Sequence, residues 1–284
     1  GEIFGLLGPN GAGKTTTMKI LTCFMPPTHG SATINGLSIA DNSYSIRQKI
    51  GYLPENNPLY TEMTVLDYLE FIANIRKIPL DKQFESLERV IDLCGLNDVL
   101  TKSIDECSKG YCQRVGLAQA LIHKPDILIL DEPTVGLDPN QIIEIRKLIK
   151  TLGKDTTILM CSHILSEVSA TCSRVFILKN GKIIADDTPA HLTSQAKGEK
   201  KIYLDINTTL KEIKDIVQTL KENIRNIEQV SKDQGFIKVK IQSKHDIRTQ
   251  LFNLAVEKKW VIRELTMEET SLEDVFIDLT GNSK

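Results

Sequence analysis

The chain has 284 residues, a formal net charge of −2 at pH 7, 41% hydrophobic residues and 25% charged residues. This length predicts one large domain, or a large domain followed by a small one, and the composition is typical of a globular protein. The near-neutral charge argues against a large electrostatic surface for nucleic acid, and no apolar run approaches the roughly 18 residues of a membrane span.

The beginning of the chain lacks both an initiator Met and a segment resembling a signal peptide. Gly1 lies in what the pattern predicts to be a turn leading into a strand. We therefore expect the chain to be a fragment that has lost an N-terminal piece.

The first half of the chain predicts strands that alternate with helices. The continuous apolar run "EIFGLL" (2–7) predicts a buried parallel strand, and residues 14–22 predict a helix. The dipeptide Asn35-Gly36 is a strong signal for a type I′ hairpin between two short strands. Residues 62–121 predict mostly helix, with breaks at Pro79, Gly95 and Gly110.

The middle of the chain continues this alternation. Two more apolar runs, "DILIL" (126–130) and "TTILMCS" (156–162), predict buried strands, and Asn180-Gly181 predicts a second hairpin. The segment "QIIEIRKLIKTL" between them predicts a helix with one apolar face, made of Ile142, Ile145, Ile149 and Leu152. Such an order predicts a layered α/β fold.

The composition changes after Pro189, through "TSQAKGEKK". The elements predicted beyond it are a strand (202–206), a helix (209–220), two strands (near 225–231 and 236–242), a helix (246–258), a strand (260–266) and a helix (271–279). This order is close to a β-α-β-β-α-β unit, so we expect a small C-terminal α+β domain over 200–284.

The segment "GPNGAGKT" (8–15) matches the P-loop pattern G-x-x-x-x-G-K-[ST] at every position. It follows a predicted strand and precedes a predicted helix, which is the context in which this pattern binds phosphate. Lys14 is expected to reach the β- and γ-phosphates, and the Thr15 hydroxyl to help hold Mg²⁺. The alternative, a glycine-rich turn without a ligand, is disfavoured by the full match in this context.

The segment "ILILDEP" (127–133) places Asp131 and Glu132 at the end of a predicted buried strand. Ligands of α/β sheets bind at the carboxyl ends of the strands. Asp131 is expected to hold Mg²⁺ through water, and Glu132 to polarise the attacking water. The alternative is a pair of solvated turn carboxylates, which the neighbouring P-loop pattern disfavours.

The chain contains, in this order, the P-loop, "CSKGY" (107–111), "ILILDEP", "GLDP" (136–139) and "CSH" (161–163). Their order and spacing resemble an ATP-binding cassette. From residue 1 to about 190 the chain resembles the ATP-binding subunit of an ABC transporter. The resemblance implies a P-loop NTPase of the ABC nucleotide-binding type over 1–195, with a helical subdomain at about 62–121.

The resemblance identifies "CSKGY" as the ABC signature, usually written LSGGQ. Cys107, Lys109 and Tyr111 depart from that pattern, whereas Ser108 and Gly110 match it. In the family the Ser hydroxyl and the backbone N–H groups at this helix N-terminus contact the γ-phosphate of ATP held by the opposite subunit.

The six cysteines show no paired spacing and predict free thiols of a reducing cytosol. A metal site at Cys107 and Cys112 is disfavoured: five residues of helix separate them by about 140° around the axis, whereas helical ligand pairs are three or four residues apart. We expect small side chains packed against their neighbours.

Other family positions transfer individually. Asp138 in "GLDP" corresponds to the D-loop, which touches the partner subunit, and His163 corresponds to the switch histidine at the γ-phosphate. Glu55 in "GYLPENNPLY" stands where the family usually has the Q-loop glutamine. The expected catalytic residues are Lys14, Glu132 and His163, and the expected Mg²⁺ ligands are Thr15, Asp131 and Glu55. The expected ATP-binding residues are Gly8, Pro9, Asn10, Gly11, Ala12, Gly13, Lys14, Thr15, Thr16, Glu55, Ser108, Lys109, Gly110, Asp131 and Asp138.

The resemblance implies an ATPase that dimerises around two ATP molecules and powers a separate membrane permease. The ending "TSLEDVFIDLTG" (270–281) resembles subunits that serve ABC-2 type exporters, and "IGYLPENNPLY" resembles the gliding-motility branch. It also implies a cytoplasmic location, peripheral on the inner face of the cell membrane, as a homodimer without nucleic acid.

Two alternative functions fit the sequence less well. One is a soluble ABC protein acting on ribosomes or DNA, although such proteins usually carry two cassettes or zinc modules. The other is a small-molecule kinase, but a kinase would not explain the signature, the D-loop or His163.

Overall fold

The computed structural model describes residues 1–195, 200–219, 224–268 and 271–281. The chain divides into two compact units, one of Gly1–Ala190 with Leu279–Lys284 and the other of His191–Asp278. Residues 196–199 of the predicted change in composition, and residue 220 at the end of a predicted helix, lie outside the described residues.

The strands of the larger unit form a six-stranded sheet and a separate two-stranded ribbon, with the sheet order β4-β5-β6-β1-β7-β8. All neighbours in the large sheet are parallel except β7 and β8. The strands are β1 Ile3–Leu7, β2 Thr33–Ile34, β3 Leu37–Ser38, β4 Ile50–Leu53, β5 Ile127–Asp131, β6 Thr157–Cys161, β7 Arg174–Lys179 and β8 Lys182–Asp187.

Both predicted hairpins are confirmed. Asn35 and Gly36 have φ values of 49° and 75° between β2 and β3, and Asn180 and Gly181 have values of 50° and 73° between β7 and β8. Two consecutive positive φ angles define the type I′ turn, whose twist matches that of the paired strands.

Seven α-helices of the first 195 described residues lie between these strands in sequence, and an eighth follows β8. The predicted helical segment contains α3, α4 and α5. The helices are α1 Lys14–Leu21, α2 Ser43–Lys49, α3 Val65–Ile75, α4 Leu80–Cys94, α5 Lys109–Leu121, α6 Pro139–Leu152, α7 Leu165–Thr171 and α8 Pro189–Gln195. Within the part of the chain that the structure describes, no helix is both long and apolar enough to span a membrane.

The predicted helix break at Gly110 is wrong. The helix α5 begins at Lys109, and Gly110 lies buried in its first turn, while the break before it covers residues 95–108. Gly95 ends α4 in the left-handed conformation, as a glycine at a helix end commonly does. Gly110 has a packing role instead, because an added Cβ would lie 2.5 Å from the side-chain nitrogen of Gln141.

The elements α2 and β4 were not predicted from the sequence. β4 has only four residues and includes a glycine, so it gives little periodic signal. It pairs in parallel with β5, with Ile50 opposite Ile127, and it places Gly51 against α5.

Gly51→Ala is expected to destabilise the fold by about 3 kcal/mol, because the new methyl group would overpack a rigid contact. Its Cβ would lie 2.2 Å from the main-chain oxygen of Ala120, an atom that can move only if α5 moves. Urea unfolding should show a lower midpoint at an unchanged slope. A midpoint equal to that of the wild type would show that α5 does not pack this closely on β4.

The second unit contains the predicted β-α-β-β-α-β order, followed by a final helix. Its antiparallel sheet has the order β10-β11-β9-β12, and alternate residues of β9 and β11 are buried in its core. The elements are β9 Lys200–Ile206, α9 Leu210–Thr219, β10 Ile224–Asp233, β11 Phe236–Ser243, α10 Arg248–Glu257, β12 Ile262–Glu268 and α11 Leu272–Thr280.

Candidate functional site

The loop between β1 and α1 has the backbone of an anion cradle. Gly11 and Gly13 have φ values of 77° and 106°, a region that side chains other than that of glycine rarely adopt. Gly13 is the N-cap of α1, and no side chain caps this end of the helix. The N–H groups of the first turn are therefore available to an anion, which the helix dipole also favours.

Lys14 is held against this loop. Its Nζ donates to the carbonyl oxygens of Gly8 at 2.7 Å and Pro9 at 3.2 Å. Gly8 packs tightly, since an added Cβ would lie 2.5 Å from the main-chain oxygen of Leu178, and Ala12 is buried beneath the loop. On the outer side of the loop the exposed residues are Pro9, Asn10, Gly11, Thr15 and Thr16.

Asp131 ends β5 as a buried carboxylate beside the loop. Burial raises its pKa, and the neighbouring carboxylates of Glu132 and Glu55 raise it further, while a hydrogen bond from the Cys161 thiol and the charge of Lys14 lower it. Asp131 and Cys161 are register partners on β5 and β6, which explains their contact. These effects place all five groups in one electrostatic neighbourhood.

Glu132 and His163, predicted separately as catalytic residues, are in contact. The Nδ1 of His163 lies 2.8 Å from Oε2 of Glu132, and the backbone N–H of His163 donates to the same oxygen at 3.3 Å. Glu132 has a φ of 51°, an uncommon conformation for a side chain other than glycine, so the chain turns sharply after β5. The carboxylate is buried while the imidazole is exposed, so the pair faces a site that substrate can enter.

The signature residues form the start of α5. Ser108 is its N-cap, and its hydroxyl accepts a hydrogen bond from the N–H of Tyr111 at 3.4 Å. Ser108 and Lys109 are exposed, and the Lys109 side chain lies against Gly136, where an added Cβ would meet its Nζ. This helix N-terminus can therefore present its hydroxyl and amides to a ligand at the surface.

Asp138 is the N-cap of α6. Its carboxylate accepts from the N–H of Gln141 at 3.0 Å, and the Gln141 side chain accepts from the N–H of Asp138 in return, which forms a capping box. The exposed D-loop residue thus has a structural contact within its own chain. Gln141 also packs on Gly110, so the signature turn and this cap share one side chain.

The two cysteines beside the signature contact the main chain. The thiols of Cys107 and Cys112 lie 3.6 Å from the carbonyl oxygens of Ser103 and Ile104, respectively. Burial raises the pKa of both thiols, which disfavours the thiolate that metal binding and nucleophilic chemistry require. All six cysteines are free thiols.

Two buried hydrogen bonds near the site were not predicted. Gln113 of α5 donates to the carbonyl oxygen of Pro133 at 3.0 Å, and Thr134 donates to a carboxylate oxygen of Glu167 at 2.5 Å. The donor and acceptor residues of the two bonds are 20 and 33 positions apart in sequence, and no local sequence pattern predicts such pairs. The first bond ties the signature helix to the segment that follows Glu132.

The assembled groups suit hydrolysis of a phosphoanhydride. A glycine loop, an uncapped helix N-terminus and Lys14 can bind a polyphosphate. Asp131 supplies a buried carboxylate beside it, and the Glu132–His163 pair can accept a proton from water.

The comparisons with known proteins agree with this chemistry. Residues 1–135 match the family model described as ABC transporter. The chain is 32% identical over 288 residues to the linearmycin resistance ATP-binding protein LnrL of Bacillus subtilis, an alignment that covers 100% of the chain and 91% of that protein. It is 36% identical over 283 residues to the bacitracin transport ATP-binding protein BcrA of Bacillus licheniformis, covering 99% and 89%.

Solved structures match the larger part of the chain. An ATP-binding subunit of an ABC transporter aligns with a TM-score of 0.62 at 32% identity, covering 68% of this chain and 81% of that one. The dimeric post-hydrolysis state of the ATP-binding cassette MJ0796, bound to ADP and Pi, aligns with a TM-score of 0.60 at 25% identity, covering 66% and 85%. The chain therefore belongs to the ABC transporter family, as an ATP-binding subunit that hydrolyses ATP.

Proposed function

We propose that two copies of this chain enclose two ATP molecules and drive an ABC-2 type permease in export, from the cytoplasmic face of the cell membrane. ATP-binding subunits of this family dimerise and pair with a membrane permease. Export is supported by relatives named for linearmycin resistance and bacitracin transport, which align over nearly the whole chain. The observation that carries the ATPase role is the contact between Glu132 and His163 beside Asp131.

Each predicted residue has a proposed role in that reaction. The loop Gly8–Gly13, with Thr15 and Thr16, binds the phosphates through its amides and hydroxyls. Lys14 neutralises the charge of the β- and γ-phosphates, for which it must exchange its carbonyl partners in the loop for phosphate oxygens. In the dimer Ser108, Lys109 and Gly110 reach the ATP of the opposite copy, and Asp138 lies at the boundary between copies.

Mg²⁺ fits the carboxylates of this site. Asp131 is buried, with Glu55 close enough to raise its pKa, and such a pair of negative groups is stabilised by a cation. Mg²⁺ usually keeps several waters and binds one or two carboxylates together with substrate phosphates. The expected ligands are Asp131, Thr15 and Glu55, and the ion would stabilise charge on the phosphate oxygens.

Hydrolysis then depends on the side chains of Glu132 and His163. Glu132 accepts a proton from the attacking water, which it also orients towards the γ-phosphate. The two His163 contacts to Oε2 fix the direction of the carboxylate and leave its other oxygen for water. His163 is exposed, which supports a contact between its imidazole and the γ-phosphate.

Glu55→Gln is expected to keep substantial ATPase activity and to lower the Mg²⁺ concentration needed for the half-maximal rate. Glu55 is an exposed carboxylate near Asp131, and its negative charge repels triphosphate unless a cation lies between them. A Gln keeps the oxygen and removes the charge.

Titrating Mg²⁺ at fixed ATP against both proteins tests this role. Identical curves would make Glu55 an ordinary surface residue of the loop after β4. Complete loss of hydrolysis would mean that the general base is Glu55 and that Glu132 has been assigned wrongly.

Co-purification tests the proposed partner. A tagged chain with Glu132→Gln, trapped with ATP, should retain a multi-span permease when membranes are solubilised in mild detergent. Ribosomal or nucleic-acid-binding proteins in its place would support the alternative of an ABC ATPase acting on ribosomes or DNA. A tagged Lys14→Ala chain is the matched control for nucleotide-dependent capture.

A further inference from the structure

A cavity of about 370 Å³ lies in the larger unit, next to the amino ends of β4 and β5. Its walls come from the end of α2, the connection between α3 and α4, the first turns of α4 and the segment that follows α5. The P-loop follows the other end of β1, and Asp131 is the last residue of β5. The cavity lies at the amino ends of the parallel strands, whereas the P-loop and Asp131 lie at their carboxyl ends. The cavity is therefore separate from the ATP site.

The charges that line the cavity are mostly positive. Four basic side chains, Arg76, Lys77, Lys82 and Lys124, face one carboxylate, Glu85. Glu85 pairs with Lys124 at 3.0 Å. Among the residues that the structure describes, Arg76, Lys77 and Lys82 form no ion pair, although the charge of Lys82 acts on Glu85 and helps to lower its pKa.

Some of these positive groups are partly buried. Burying a charged group without a nearby anion costs free energy. Burial lowers the pKa of Arg76, whose guanidinium donates to the carbonyl oxygen of Arg47 at 2.9 Å. Arg89, whose charge acts on His123 of the cavity wall, is also half-buried, and within the described ranges its Nε has no hydrogen-bond partner. Desolvated guanidinium groups are normally stabilised by carboxylate or phosphate.

The side chain of His123, which also lines the cavity, lies close to these positive charges. Its Nε2 lies 3.0 Å from the carbonyl oxygen of Ile50, so this nitrogen carries the proton. Burial lowers the pKa of His123 to about 4, and the positive charges of Arg76 and Arg89 contribute to that shift. The imidazole is therefore neutral at pH 7.

Helix ends explain only part of the basic cluster. Arg76 bonds to the last turn of α2, and Arg89 bonds to the carbonyl oxygens of Leu121 and Ile122 at the end of α5. Cations do stabilise helix C-termini, each of which carries about half a negative charge. Among the described residues, the Lys77 and Lys82 side chains bond to no helix carbonyl. They add two charges beside guanidinium groups whose hydrogen bonds these carbonyls satisfy in part.

We propose that this cavity binds an organic phosphate, with its phosphate on Arg76, Lys77 and Lys82. A guanidinium matches phosphate oxygens in pairs, and ammonium groups add point charge. The side chains of Ile78 and Pro79 give the cavity an apolar wall for the organic part. Its volume lies within the range of small-molecule sites. The phosphate can belong to a soluble metabolite or to a phospholipid headgroup.

Calorimetry with glycerol 3-phosphate tests the site. Wild-type and Lys14→Ala chains should bind it equally, because the P-loop is not involved. Lys77→Gln combined with Lys82→Gln should bind at least about tenfold more weakly, as expected for the loss of charge-assisted hydrogen bonds. The control is Lys147→Gln with Lys150→Gln, a pair of exposed lysines on α6, which should bind as the wild type does.

Vesicles distinguish the two sources of phosphate. If glycerol 3-phosphate does not bind, sedimentation with phosphatidylcholine vesicles that contain phosphatidylglycerol should show binding that requires Lys77 and Lys82. That result assigns the site to lipid headgroups. Absence of binding in both assays, or equal loss in the Lys147/Lys150 control, would overturn the proposal.

Discussion

Glu132→Gln will lower ATP turnover by about a thousandfold while ATP binding survives. General base catalysis is typically worth about 10² to 10⁴ in rate, and the amide cannot accept the proton of the attacking water. The Gln oxygen can still accept from the backbone N–H of His163, which follows β6, so the local fold should persist. The matched control is Glu70→Gln, an exposed carboxylate on α3, which should hydrolyse ATP at the wild-type rate.

The same variant should accumulate as an ATP-bound dimer on size-exclusion chromatography. Hydrolysis normally releases the two copies, so blocking it leaves them joined by nucleotide. Protein concentration must be high enough for association, because dimerisation follows mass action. If the variant stays monomeric with saturating ATP even at high protein concentration, the two copies do not enclose ATP between them.

Lys14→Ala is expected to lower ATPase activity by at least about 10² to 10³, because a positioned charge on the transferred phosphoryl group is lost. In the structure the ammonium group is already held at the loop by the carbonyl oxygens of Gly8 and Pro9, so it is close to where phosphate would bind. ATP binding should weaken as well, since the same charge acts on the bound substrate.

Lys19 provides the control for this substitution. It lies on the same helix, α1, is exposed and approaches the ring of Phe24, at 5.8 Å from its centroid. Lys19→Ala should retain wild-type turnover in a coupled phosphate-release assay. Equal activity of the Lys14→Ala chain would remove the basis for assigning the P-loop.

Local patterns predicted those parts of the molecule whose geometry is set by a few neighbouring residues. The turns at Asn35-Gly36 and Asn180-Gly181 follow from the positive φ angles that these residues tolerate, and the anion cradle follows from its glycines. In the second unit the order of strands and helices was also predicted, and its central strands β9 and β11 alternate between more and less buried positions.

Contacts between distant residues could not be derived in this way. Glu132 and His163 are 31 residues apart, and their hydrogen bond depends on β5 and β6 being neighbours in the sheet. The neighbourhood of Asp131 and Cys161 depends on the same pairing. Motif resemblance marked Glu132 and His163 as separate positions, but sheet order decides that they meet.

The start of α5 at the signature shows another limit of prediction from residue propensity. Gly110 has the residue type of a helix break, yet it stands where Gln141 of α6 packs against α5. Ser108 caps the helix two residues earlier, so propensity is overridden by a cap and a tertiary contact. The short strand β4 was missed for a related reason, since its pairing with β5 rather than its composition defines it.

A mixture of two inactive variants tests the shared ATP site most directly. Lys14→Ala disables the P-loop of one copy, and Ser108→Arg places a bulky cation at the signature of the other. In a heterodimer one site then carries both lesions, and the second combines an intact P-loop with an intact signature. Verified heterodimers are predicted to hydrolyse ATP faster than either variant alone. Heterodimers as inactive as the separate variants would contradict an ATP site shared between two copies of this chain.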